Sequence, residues 1–273
     1  MRAMAVELWP RLPWIRLWLP RLGQVSRWRW VAPELAAWVA ASSGSLLIPS
    51  PAATAAVGWE LAASGQLWVA SAASLTRVTT GLVLVVLSAV PLGTLLGLSP
   101  RLLNASSAVV ALARALPPIA WLPLLVVFWG LQERTSLTLI WVGAFFPLLI
   151  NTTEAVRGVE KLHLDAATVL DASRWQRVAH VVLPAALPGI LVGIRYSLSL
   201  AWMLVVVAEL AGARSGLGYL ILNATLDIRL DKIVVGIAVI AILGFALDRL
   251  YLAAAARLSP LLRLQEEEVL AWR

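Results

Sequence analysis

Cysteine is absent from the 273-residue chain, which excludes disulfides, thiol nucleophiles and Cys-based zinc sites. Histidine occurs only at His163 and His180. Two such residues without close companions make no metal site, and both read as solvated loop side chains. No GxxxxGK[ST] is present, and the GARSGLG stretch at 212–218 lacks the Lys-Ser/Thr that would complete one. The chain therefore has no P-loop of its own with which to cradle ATP phosphates. HExxH, GxSxG and CxxC are missing as well, so an enzyme centre has no visible residues to stand on. Charge is scarce too, at 14% of residues where soluble domains carry about a quarter.

What fills the space is apolar. Hydrophobic residues make up 60% and the mean hydropathy is +0.85, which places the chain in a bilayer. Its length allows about six spans of about 20 residues. The apolar runs fall at 31–48, 69–98, 105–128, 136–156, 187–211 and 233–256. The first is interrupted by Pro33, Glu34 and a Ser-Ser-Gly-Ser run, and the third by Pro117, Pro118 and Pro123. Residues 1–30 interleave six arginines with five tryptophans and read as a segment lying on the cytoplasmic membrane surface. Pro10, Pro13 and Pro20 break that segment, and it has no 7–15-residue apolar core of a removable signal peptide. The expected organisation is thus an interfacial segment at 1–30, a membrane domain at 31–258 with a polar loop at 157–185, and a tail at 259–273 carrying Glu266, Glu267 and Glu268.

The net charge of +7 could point to nucleic acid, but the basic residues track the spans and form no cluster with stacking aromatics. With the N-terminus inside, 15 of the 22 Lys and Arg lie in inner segments, four in outer loops and three within spans. This asymmetry puts both termini and the 157–185 loop in the cytoplasm.

That loop contains DAATVLDASRWQRVAHVVLP at 165–184. Residues 165–170 lack Gly and Pro, which suggests a short helix with Asp165 at its favourable N-terminal end and a flat face made by Ala166 and Ala167. A flat, small-residue face suits a groove on another protein. The spacing resembles the EAA signature of the permease subunits of ATP-binding-cassette importers. Asp165 stands for Glu, Val181 for Ile, and Asp171 for the glycine between two short helices. Asp is one of the few residues besides Gly that tolerates the φ > 0 expected there.

The resemblance extends over about residues 46–250, through LIPSP at 47–51, SLTR at 74–77, PLGTLLGLS at 91–99, RALPPIAWLPLLVVFWG at 114–130, GAFFPLLINTTEAVRGV at 143–159, AWMLVVVAEL at 201–210 and GFALDRL at 244–250. These resemble the branch importing nitrate, taurine and aliphatic sulfonates. The resemblance implies an all-α, type I importer permease fold in a bacterial inner membrane. It also implies a second copy of the chain, two ATPase subunits holding the ATP and magnesium, and an extracytoplasmic solute-binding protein. Asp165, Ala166, Ala167, Leu170, Asp171 and Arg174 would meet the ATPase.

Three arginines, Arg77, Arg114 and Arg195, fall about 12–15 Å deep along their spans by helical rise. An arginine at that depth costs at least about 2.5–3.5 kcal/mol unless it is hydrated or paired, so each needs a reason to be there. For Arg77 and Arg195, packing or pairing inside the bundle is favoured over lining a path. For Arg114, followed by Pro117 and Pro118, a cavity and a structural role weigh equally. Glu209 and Asp248 read as structural, and Gly212, Gly216 and Gly218 mark an outer loop that could meet a binding protein. The same architecture could instead carry bicarbonate or a pyrimidine-type precursor. A scaffold or receptor with no path is the rival of another class, and it has little need of broken helices around buried charge.

Overall fold

The structure, a computed structural model, describes residues 33, 37–39, 42 and 49–258. The expected surface segment at 1–30, nearly all of the first span and the tail at 259–273 lie outside the described residues. Within them the chain is helical, with no strand. Helix α1 (Pro51–Ala63) is capped by Ser50, whose Oγ accepts from Ala53 N at 3.2 Å. Then come α2 (Gln66–Leu98), α3 (Pro100–Ala115), a 3₁₀ turn (Pro118–Trp121), α4 (Leu122–Trp129) and α5 (Glu133–Arg157). The second half holds α6 (Lys161–Val169), α7 (Arg174–Arg177), a π turn (Val178–Val182), α8 (Leu183–Leu210), α9 (Leu217–Leu226) and α10 (Leu230–Leu258).

Four of these stretches are long and apolar enough to cross a membrane: α2, α5, Arg174–Leu210 and α10. The third run of the sequence is no straight span. It is a pair of helices bent by 84°, and counting that pair as one gives five spans among the described residues. The bend follows from the two consecutive prolines. Leu116 precedes Pro117 and Pro117 precedes Pro118, and the ring of each proline drives its predecessor out of the helical region. The observed ψ values of 122° at Leu116 and 127° at Pro117 are that exclusion.

Helix α5 sits between α2 and α8 and packs along both. In its most apolar stretch 56% of residues are buried, against 11% in α10, so α5 is the centre of the bundle and α10 lies on its periphery. The core is built by Val78, Leu139, Ile140, Leu204 and Val205 at one level and by Val85, Ala89, Leu148 and Leu149 at another. Close approach is set by small residues, as is usual where lipid offers no hydrophobic drive. A Cβ on Gly93 of α2 would come within 2.7 Å of Thr152 Cβ, and one on Gly193 of α8 within 2.8 Å of Asn151 Cβ.

Candidate functional site

In the 157–185 loop, α6 begins at Lys161, four residues earlier than the expected start at Asp165. Nothing between Gly158 and Val169 breaks a helix, so the acid lies in mid-helix and marks no N-terminus. The helix ends as the substitution at 171 requires. Asp171 adopts φ 52°, Asp171 N donates to Thr168 O at 3.1 Å and Ala172 N to Ala167 O at 3.0 Å, closing a Schellman turn. Ser173 then starts α7 with a capping box, its Oγ accepting from Gln176 N while Gln176 Oε1 accepts from Ser173 N. Pro184 has no N–H for the carbonyl four residues back, and the π turn at 178–182 absorbs the mismatch, so α7 runs on into α8.

The two alanines of this loop separate. Ala167 is 6% exposed and packs inward, while Ala166 faces out. The outward ridge is apolar and larger than expected, with Leu162, Val169, Leu170 and Trp175 each at least 72% exposed. Leu162, Ala166, Val169 and Leu170 fall on one helical face. Asp165 and Arg174 are exposed beside them, as are His163 and His180.

Arg114 occupies the last turn of α3, just before the break. No residue of α3 is buried. Between α3 and α5 lies a cavity of about 200 Å³ whose polar lining includes Ser106, Ser107, Arg114, Thr153, Glu154 and Arg157. No ion pair holds Arg114 among the described residues.

Arg77 is placed differently. It is 4% exposed and bonded on both edges. Nε and Nη2 donate to the Glu133 carboxylate at 2.6 and 2.5 Å, and Nη1 donates to Glu209 Oε1 and to Ser215 O, both at 2.7 Å. Glu209, fully buried, also accepts from Ser74 Oγ at 2.8 Å and from Gly218 N at 2.9 Å. The loop between α8 and α9 is thereby tied to α2. Gly216, at φ 112°, lies where a Cβ would collide with the Glu209 carboxylate. Gly216 and Gly218, expected at a contact with another protein, are buried beneath this cluster, and the outward surface of the loop is formed by Ala211 and Arg214 instead. Gly212 is half-buried at φ 119°. Arg195 of α8 pairs with Asp248 of α10 through two parallel bonds of 2.8 and 2.9 Å.

A broken third span, a buried arginine held by two carboxylates and a helical loop bearing an apolar ridge are on one chain. The family model for the binding-protein-dependent transport system inner membrane component matches residues 89–260. The chain belongs to that family. It is 39% identical over 194 residues to the taurine transport system permease protein TauC of Escherichia coli (strain K12), covering 71% of this chain and 70% of the relative. It is 35% identical over 227 residues to SsuC of Bacillus subtilis (strain 168), a permease assigned provisionally to aliphatic sulfonates transport, covering 83% and 78%. Among solved structures, a chain of the MetNI methionine ABC transporter in an inward-facing conformation superimposes with TM-score 0.54 at 21% identity, covering 66% of this chain and 92% of that one. The fold is that of a type I importer permease, and the protein is an ABC importer permease of the taurine, sulfonate and nitrate type.

Within this permease, sequence reasoning singled out Arg77 and Glu209 separately and missed Glu133, Ser74 and Ser215. A signal was available, because an arginine within a span calls for a carboxylate partner, and Glu133 is an acid at the end of a neighbouring span. The ridge residues Leu162, Val169 and Trp175 escaped because the alanines drew attention to a flat face.

Proposed function

We propose that this permease carries a small oxyanion, a sulfonate, taurine or nitrate, along a path that passes Arg114. The observation that supports this most is the position of Arg114, exposed on the wall of the largely apolar cavity between α3 and α5, at the end of a helix broken by two prolines and in no ion pair among the described residues. A broken helix beside a fixed charge is a common form for a midplane site. The exposed ridge of α6 and α7 receives an ATPase subunit, which holds ATP and magnesium, and its closure tilts the helices that α7 leads into. A second copy covers the bare surface of α3 and completes the path. The binding protein docks on the outer side, where Arg214, Asp227 and Arg229 are exposed. Both termini face the cytoplasm.

The test is uptake by the permease reconstituted with its ATPase and binding protein. Lysine keeps the charge of Arg114 and loses the two-pronged donor fork, whereas glutamine loses the charge. Arg114→Lys is expected to retain part of the transport, and Arg114→Gln to fall by about tenfold or more, about 1.4 kcal/mol, with both complexes assembled. A well-assembled Arg114→Gln complex that transports normally overturns the role. Equal loss of assembly and thermal stability in both variants assigns Arg114 to packing instead.

A further inference from the structure

The outer ends of α2 and α5 enclose a second hollow, of about 370 Å³, and three guanidinium groups line it: Arg77, Arg134 and Arg214. Arg134 lies over the ring of Trp129, 5.9 Å from its centroid, which keeps its charge at the rim. The two carboxylates on Arg77 are not equivalent. Glu209 is fully buried and further bonded to Ser74 and Gly218, so it cannot leave without dismantling the loop it anchors. Glu133 is the opposite case. Its side chain is 63% exposed, it stands at the first residue of α5, and its carboxylate accepts hydrogen bonds from Arg77 alone among the described residues. Exposed and partnered by Arg77 alone among the described residues, Glu133 is the one of the two carboxylates that side-chain rotation can withdraw.

Once Glu133 has swung away, Arg77 is still neutralised from behind by Glu209 and presents two parallel donors, Nε and Nη2, to a hollow that holds two more arginines. We propose that this edge of Arg77, with Arg134 and Arg214, is an outer oxyanion site that Glu133 fills as a built-in stand-in and yields to the entering substrate. The proposal rests on the reading of the cargo as an oxyanion. A sulfonate or nitrate offers two oxygens to a guanidinium edge much as a carboxylate does. The stand-in keeps the arginine compensated while no cargo is present, and it makes entry an exchange of one oxyanion for another, which neutral solutes cannot drive.

The test uses the full-length permease in detergent and methanesulfonate as the probe, titrated against chloride at constant ionic strength. Removing the internal competitor is expected to tighten methanesulfonate binding at least tenfold in both Glu133→Gln and Glu133→Ala. The gain is expected to vanish when Arg77→Lys is added, since lysine keeps the charge facing Glu209 and lacks the paired donors. No gain in either Glu133 variant, or a gain that survives Arg77→Lys, overturns the site. Failure of the cargo reading shows elsewhere, as a wild-type complex that takes up neither sulfonates nor nitrate in proteoliposomes. Normal taurine uptake with no gain in the Glu133 variants removes this site and leaves the cargo reading standing.

Discussion

Among the described residues of this permease, two helices end on a left-handed residue that is not glycine, and the two cases differ in cost. Asp171 closes α6 at φ 52°, a conformation that Asp tolerates through its short polar side chain. Ile228 closes α9 at φ 54°, with Arg229 N donating to Ala224 O at 2.8 Å in the same Schellman pattern. A β-branched residue there carries about 1–2 kcal/mol of strain. It is also 78% exposed, so little packing is at stake. Ile228→Asn should therefore stabilise the protein by about 0.5–1 kcal/mol, part of the strain released, as Asn enters this region more readily. A thermal midpoint in detergent that stays level or falls would show that the isoleucine makes contacts worth more than its strain. The turn at Asp171 was legible because the spacing of the 165–184 stretch asks for a glycine there, whereas nothing in the residues around Ile228 announces its conformation.

At the scale of elements, the sequence discloses what is punctuated by proline and hides what is not. The break in the third span was readable from Pro117 and Pro118. The start of α6 was not, since Asp165 has the character of an N-terminal acid and yet no breaker stands directly before it. This shift changes how the loop should be tested. Ala167 is now an inner residue, so Ala167→Arg overpacks the loop itself, at about 1–3 kcal/mol, and should lower both thermal stability and ATPase binding. Leu170 is 80% exposed on the ridge, so Leu170→Asp should leave stability unchanged while ATPase co-purification drops several-fold. Thermostability measured beside pull-down of the ATPase separates the two. Full ATPase recovery with Leu170→Asp would move the docking surface away from α6.

Across the whole molecule, hydropathy and the placement of arginine were enough to foresee an all-helical bundle, because the bilayer leaves few other solutions. The sequence signals that Arg77 needs a carboxylate but does not single out which acids supply it. Arg77 meets Glu133 across 56 positions and Glu209 across 132, and no local period connects residues so far apart. The same sidedness argument can be tested on exposed positions free of the ion cluster. Single cysteines at Glu160→Cys and Asp227→Cys, in a chain that has no other, should label from opposite sides. In intact cells an impermeant maleimide should reach Asp227→Cys alone and Glu160→Cys only after lysis; labelling of both in intact cells would invert or recount the spans.

The unbroken run from Arg174 to Leu210 joins these scales. Its 37 residues make a rod of about 55 Å by helical rise, rooted in the loop at one end and carrying Glu209 at the other. Such a rod works as a lever. Each degree of tilt imposed at its foot displaces its far tip by about 1 Å, and the tip is the carboxylate that holds Arg77 and, through Gly218, the loop between α8 and α9. A tilt of a few degrees at the foot thus moves the tip by a distance comparable with the length of the hydrogen bonds Glu209 makes there, so one covalent strut links the 157–185 loop to the Arg77 cluster without a relay of intermediate contacts.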